Sequence, residues 1–289
     1  MIEVDGHEPT RGELQDAALN PYGHFTAMQV RDGRTRGLDL HLARLDEANR
    51  AVFGEALDGD RVRGMIRHAL AGAGSADASV RVIVRGAGEV GISSGPDDGP
   101  GVRVFVTVRA PFTMPADATQ RLKSAAYQRA VAHIKRPGDF GQGYVIDRAI
   151  DAGYDDALLV APDGTIAESG IANIAFFDAA TSPDDSNPDV ANPGAANPAA
   201  VNPSVVWPDA PVLPGITMQL VAPRLAEYGM PSRTARVTLD ELGRFAGACV
   251  TNSRGIAAVS RIDDVELPIA TEFVKALHAA YDSVPWDVI

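Results

Sequence analysis

Ile166-Ala-Glu-Ser-Gly-Ile-Ala-Asn173, with Lys135 standing upstream of its glutamate, is the stretch on which the reading of this chain turns. Lysine is scarce: only Lys123, Lys135 and Lys275 occur, and arginine supplies the other 23 of the 26 basic residues. An amine can lose its proton and attack a carbonyl, which a guanidinium cannot do, so these three positions are the candidates for covalent chemistry with an aldehyde. Lys275 lies in Glu272-Phe-Val-Lys-Ala-Leu-His278, an amphipathic helical segment where a solvated lysine is the ordinary expectation. Glu168 follows a turn at Asp163-Gly164 and precedes small residues. A carboxylate there can face a pocket and bond to a protonated heterocycle, although most glutamates in such turns are simply solvated.

Working outward, composition sets the class. At 289 residues with 45% apolar content, the chain can build one large core or two modest ones. A net charge of −12 speaks against a phosphate-backbone binder, so no nucleic-acid partner is expected. The single Cys249 can make neither an internal disulfide nor a cysteine-based metal site, and it fits a reducing compartment. The N-terminus has no basic and apolar leader pattern, and no apolar run reaches the length of a membrane span, so a cytoplasmic protein without a membrane partner is expected. Six scattered histidines show no metal-ligand spacing, and no metal is expected. A Gly-x-Ser-x-Gly elbow, a Walker loop and a dinucleotide fingerprint are all missing from the sequence.

Periodicity predicts an opening strand and then two helices, one carrying Leu42, Leu45 and Val52 on a face and the next Val62, Met65, Ile66, Ala69 and Leu70. Residues 79–85 and 102–108 alternate β-branched and polar residues, the pattern of half-buried neighbouring strands. Ala110-Pro-Phe-Thr-Met-Pro-Ala-Asp117 interrupts the pattern and predicts a division into 1–116, an α+β subdomain, and 117–289. In the second part, helices are expected near 141–152, 217–229 and 270–282, with Pro223 kinking or restarting the middle one. Strands are expected near 155–161, 173–177, 205–207 and Cys249. Asn-Pro recurs at 187, 192, 197 and 202, which predicts a mobile surface insertion over 180–204, with a functional lid as the alternative.

Three further groups can hold an anion. Leu213-Pro-Gly-Ile-Thr217 sits where a loop gives way to a helix, Thr251-Asn-Ser-Arg-Gly255 is a polar turn after an apolar strand, and Arg44 opens an otherwise apolar helix. Each has an ordinary explanation as turn, cap or solvated cation.

Taken in order, these pieces resemble the fold-type IV pyridoxal-phosphate enzymes, the class IV aminotransferase family with its branched-chain and D-amino-acid aminotransferases and aminodeoxychorismate lyase. The likeness runs over about 20–265 through Gly23-His-Phe-Thr-Ala-Met-Gln-Val-Arg-Asp-Gly33, His41-Leu-Ala-Arg-Leu45, Tyr127-Gln-Arg-Ala-Val-Ala-His-Ile-Lys135, Asp163-Gly-Thr-Ile-Ala-Glu168, Asn173-Ile174, Leu213-Pro-Gly-Ile-Thr217 and Thr251-Asn-Ser253. It implies an α/β protein of two subdomains, the C-terminal one larger and barrel-like, with pyridoxal 5'-phosphate between them. By the same resemblance Lys135 forms the Schiff base, Glu168 bonds the ring nitrogen, and Arg44 reaches the phosphate. Ile216, Thr217, Asn252 and Ser253 would complete the phosphate contacts. Lys123, twelve residues before Lys135, matches no family motif.

The resemblance further implies a homodimer that moves an amino group between a small amine or amino acid and a 2-oxo acid. Phe25, Ala27, Gln29 and Arg85 are the expected substrate contacts. Arg136-Pro-Gly-Asp-Phe140 departs from the family run after the lysine, leaving Phe140 and Tyr144 as the candidates for a ring-facing aromatic, and Met218 replaces a common arginine. Phe25-Thr26-Ala27 is closer to the lyase version of the opening strand, so a pyridoxal-phosphate lyase is the first alternative. A non-catalytic binding protein on the same scaffold is the second.

Overall fold

The computed structural model describes residues 1–86, 101–179 and 203–289. Its first layer holds β1 (Ile2–Val4), α1 (Arg11–Leu19), β2 (Gly23–Val30), β3 (Arg34–Thr35), α2 (Leu38–Phe53), α3 (Gly59–Ala73), β4 (Ala78–Gly86) and β5 (Val102–Arg109). Strands pair in the order β1-β5-β4-β2, all antiparallel. Alternation along β2 gives each face its job: His24, Thr26, Met28 and Val30 are buried, whereas Phe25, Ala27 and Gln29 are only partly covered. The buried face joins Val80, Val82, Val84, Val104 and Val106 under α2 and α3, whose Leu45, Met65, Ile66 and Ala69 fill the space. The partly covered face looks toward the rest of the molecule. The β4–β5 pair and both helices lie where periodicity predicts them; β1 and α1 have no apolar signature, and α1 buries no residue at all, standing on a Thr10–Glu13 capping box.

The remaining chain forms β6 (Thr119–Ala126), α4 (Phe140–Asp151), β7 (Asp156–Val160), β8 (Ile166–Ser169), β9 (Asn173–Asp178), β10 (Ser204–Pro208), α5 (Ile216–Val221), β11 (Ser232–Ala235), β12 (Gly247–Asn252), β13 (Gly255–Ile262), β14 (Val265–Glu266), α6 (Thr271–Asp282) and β15 (Asp287–Val288). Its large sheet runs β11-β10-β9-β12-β13-β6-β7-β8. In a flat sheet β8 and β9 would lie about 24 Å apart, at about 4.8 Å per neighbouring strand. The three residues between them reach no more than about 15 Å. The sheet therefore curls, bringing β8 and β9 together and making the barrel-like body expected from the resemblance.

The two sheets draw on residues before 110 and after 118 respectively, but the C-terminus crosses back: β15 pairs with β3, and Ile289 joins the first core. Pro223 ends α5 by turning its continuation into a 3-10 helix over Ala222–Tyr228. Strand β6 went unpredicted because only Leu122 in it is buried, so no period-two signal exists. Of the insertion expected over 180–204, residues 180–202 lie outside the described residues, and Ser204 already belongs to β10.

Candidate active site

Between the partly covered face of the first sheet and the curled second sheet lies a cavity of about 400 Å³. Lys135, Arg44, Glu168, Ile216, Thr217, Asn252 and Ser253 all line it, as do Phe25, Ala27 and Gln29. Arg85 does not: it sits on β4 opposite Gly23, and its guanidinium donates to the carbonyl of Asn20. Arg81, four residues earlier and opposite Ala27, lines the cavity instead.

Lys135 lies in the crossover that follows the carboxyl end of β6, a usual ligand-binding edge of a parallel strand pair. Its carbonyl accepts from the Phe25 amide at 2.8 Å, which pins the crossover to β2 and fixes where the side chain emerges. The ammonium stands over the Phe25 ring, 5.0 Å from its centre. Burial, then the nearby charges of Arg44 and Arg129, push the amine down to about 8. Lys123 is a different kind of lysine. It pairs with Asp263 at 2.9 Å beside the Tyr154 ring, outside the cavity, and the salt bridge holds its amine above the ordinary range. Lys275 pairs with Glu272 on α6.

Glu168, after the Asp163-Gly164 turn, is on β8 itself, and it is buried rather than solvated. Arg129 holds one carboxylate oxygen, Oε1, through Nε at 2.9 Å and a terminal nitrogen at 2.8 Å, leaving Oε2, among the described residues, with only a long contact from the Leu213 amide at 3.3 Å. Burial raises the Glu168 carboxyl above its usual range, and the Arg129 charge is the largest influence drawing it back. Arg129 also donates to the carbonyls of Ala132 and Ile134, so one buried guanidinium fixes both the acid and the approach to Lys135. Nothing in the spacing of Arg129 marks it apart from the other arginines of the sequence.

The end of the cavity where an anion is expected is built by Asn173 at the start of β9. Its carboxamide donates to the Leu213 carbonyl at 2.8 Å and accepts from the Gly215 amide at 3.1 Å, bracing the turn that leads into α5. A Cβ on Gly215 would collide with that carboxamide, so the close approach requires glycine. Asn173→Ala should cost about 1–3 kcal/mol by leaving two buried backbone groups unpaired. Chemical denaturation measures this; an unchanged midpoint would show that the turn holds itself.

Two expected phosphate contacts are partly engaged already. The Thr217 hydroxyl donates to the Asn252 carbonyl at 2.8 Å, so what Thr217 has left to offer is its amide. The Asn252 carboxamide oxygen accepts from the Arg254 amide at 2.8 Å. The hydroxyl of Thr251, by contrast, is buried on the cavity wall without a partner among the described residues. Gln29 lines the cavity, but its carboxamide accepts from the Phe112 amide at 2.9 Å and donates to Ser79 at 3.1 Å, so it fastens the 110–117 connection. Phe140 and Tyr144 stack on each other, exposed and outside the cavity. The phenol on the wall is that of Tyr281 from α6. Met218 packs against an apolar cluster that includes Trp207, Cys249 and Phe273, and it does not line the cavity.

Residues 23–262 match the family described as amino-transferase class IV. No curated protein matches the chain. Among solved structures, similar folds include Escherichia coli branched-chain amino acid aminotransferase, 15% identical with a TM-score of 0.77 and covering 97% of this chain and 93% of that one. A Mycobacterium tuberculosis protein described as a hypothetical aminotransferase in its PLP-bound form is 21% identical, with a TM-score of 0.75 and coverage of 98% and 99%. A Legionella pneumophila protein for which 4-amino-4-deoxychorismate lyase activity is proposed is 16% identical, with a TM-score of 0.76 and coverage of 95% of each chain.

Proposed function

Because the chain belongs to the amino-transferase class IV family, whose cofactor is pyridoxal phosphate, we propose that it exchanges an amino group between a small amine or amino acid and a 2-oxo acid at Lys135. The residues fit such a cofactor. Thr251 offers an orphaned buried hydroxyl, Arg44 has no carboxylate partner among the described residues, and Glu168 keeps one oxygen nearly free. Arg44, the amides of Ile216 and Thr217, and Ser253 would hold the phosphate, and Glu168 the ring nitrogen. When bound, the cofactor supplies an aldehyde that condenses with amines and a ring that accepts electron density from the amine-bearing carbon.

What this chain contributes follows from its own groups. Glu168, whose charged form the neighbouring Arg129 favours against the effect of burial, would hold a proton on the ring nitrogen of the bound cofactor. Lys135, with its proton affinity lowered by burial, provides a neutral amine near physiological pH and can carry a proton to and from a carbon held beside it. The observation that carries the reading is this amine: it makes no hydrogen bond among the described residues and shares one cavity with Glu168 and Arg44.

Borohydride reduction of the yellow protein followed by peptide mapping should place the cofactor on Lys135. An aminotransferase should lose its visible band with an amino acid and regain it with a 2-oxo acid. A lyase should instead release pyruvate without an amino acceptor, and a binding protein should do neither. The rate of cofactor uptake should rise through about pH 8 and level off above it, because only the neutral amine reacts. An uptake profile that kept climbing to the pH of a free lysine would sink the assignment of Lys135. The same reading takes the enzyme as a cytoplasmic homodimer; among the described residues no helix is long and apolar enough to cross a membrane.

A further inference from the structure

Lys135 is carried by no strand or helix. It sits in the irregular segment 127–139 that joins the end of β6 to the start of α4, and chain of this kind keeps its shape only through individual contacts. Arg129 donates to the carbonyls of Ala132 and Ile134, and the Lys135 carbonyl accepts from the Phe25 amide, which fixes the middle of the segment. One further hydrogen bond joins its two ends.

The hydroxyl of Tyr127, the first residue of the segment, donates to Oδ1 of Asp139, the last, at 2.8 Å. Both partners are anchored. The Tyr127 amide donates to the Val160 carbonyl at 3.1 Å, and its side chain packs with Ala149, Ala157 and Leu159. A Cβ on Gly141 would come within 2.6 Å of the Tyr127 ring, so the phenol reaches Asp139 only because the first turn of α4 leaves out a side chain there. Asp139 caps α4 by accepting from the Gln142 amide at 3.2 Å, and its Oδ2 accepts from the Arg136 guanidinium at 2.6 Å. Burial alone would raise the Asp139 carboxyl, but the Tyr127 hydroxyl, the Gln142 amide and the Arg136 charge hold it below its usual range. At neutral pH the phenol therefore meets an anionic acceptor, and their bond is charge-assisted. Asp139 and Arg136 also line the cavity, so the closed end of the segment is wall beside the amine.

We propose that the Tyr127–Asp139 hydrogen bond is a clasp that closes the 127–139 segment around Lys135 and keeps water from its amine, which makes Tyr127 and Asp139 positioning residues for that amine. The inference rests on the reading of Lys135 as the reacting group. With the ends apart, the segment gains chain entropy and the amine gains water. The charges facing the amine are Arg44 from α2, Arg129 from the segment itself, Glu168 from β8 and Arg81 from β4, and none of them belongs to the clasp. Opening it therefore acts on Lys135 through solvation, which raises the amine toward the ordinary lysine range.

Reductive methylation of the unloaded full chain with formaldehyde and cyanoborohydride, mapped by peptide across a pH series, reads the amine without the cofactor, and exposed Lys275 serves as reference. Only the neutral amine reacts, so the Lys135 midpoint should lie at about 8 in the parent protein. In Y127F, which removes one oxygen, the midpoint should rise by about half a pH unit or more, and pyridoxal-phosphate uptake at neutral pH should slow about threefold or more. In a D139A background the same change should shift nothing further, because the partner is already gone. A midpoint that stays or falls in Y127F would overturn the clasp, even if that variant lost stability. So would an equal Y127F shift in the D139A background, since Tyr127 would then act without Asp139. Trapping of pyridoxal phosphate at a residue other than Lys135 would overturn the aminotransferase reading instead, and the methylation midpoints would still decide the clasp.

Discussion

Lys135→Ala should lower turnover by at least about 10³-fold and abolish covalent trapping of the cofactor, while leaving the protein folded. In the proposed function the amine supplies both the nucleophile and the proton carrier, so two contributions to catalysis would disappear together. Stability should move the other way. Because the folded amine titrates at about 8, below its unfolded value, burying its protonated form costs stability. That cost is fully present below about pH 8 and is relieved as pH rises from there toward the unfolded lysine range. Lys135→Met, which keeps the aliphatic bulk, should therefore be at least as stable as the parent at neutral pH, with the difference shrinking in alkali. Denaturation midpoints at neutral and alkaline pH check the sign. A variant that kept turning over would remove Lys135 from the chemistry, and the mechanism with it.

Arg129→Leu should be the most damaging change at a residue assigned no contact with the cofactor. It leaves Glu168 buried without its counter-charge, and breaking a buried pair from one side costs about 3–5 kcal/mol. The Glu168 carboxyl, already raised by burial, should rise further without its strongest lowering influence, so the ring nitrogen would lose its anionic partner at neutral pH. Activity and stability should fall together. The double change Arg129→Leu with Glu168→Leu should recover much of the stability, because no buried charge is stranded, and none of the activity. Recovery of activity in the double variant would show that Glu168 has no part in the reaction. Full activity in Arg129→Leu alone would show that Oε2 needs no support from the guanidinium.

Much of this was legible before any coordinates. The alternation of residues 79–85 and 102–108, and the helical faces of 42–52 and 62–70, are products of local burial and carry their own period. Strand β6 was not legible, because its neighbours β7 and β13 decide its conformation through main-chain pairing and its side chains bury little. At the site, motif order singled out Lys135, Glu168 and Arg44. Motif order had no means of recognising Asn173 as the brace of the 213–215 turn, or Arg129 as the partner of Glu168, because each works through a contact with chain far away in sequence. Arg85 and Arg81 show the same limit on one strand: both face the same side, and only the length of the cavity separates the one that lines it from the one bonded to Asn20.

By itself the sequence determined the kinds of groups present: a nearly lysine-free chain with one amine and one acid in recognisable settings, and two regions able to form cores. Which amine has its proton affinity lowered and which arginine is neutralised by a buried acid were decided by the tertiary structure. Proton affinity depends on burial and on charges within a few ångströms, and the curl of the second sheet against the first is what brings those charges together.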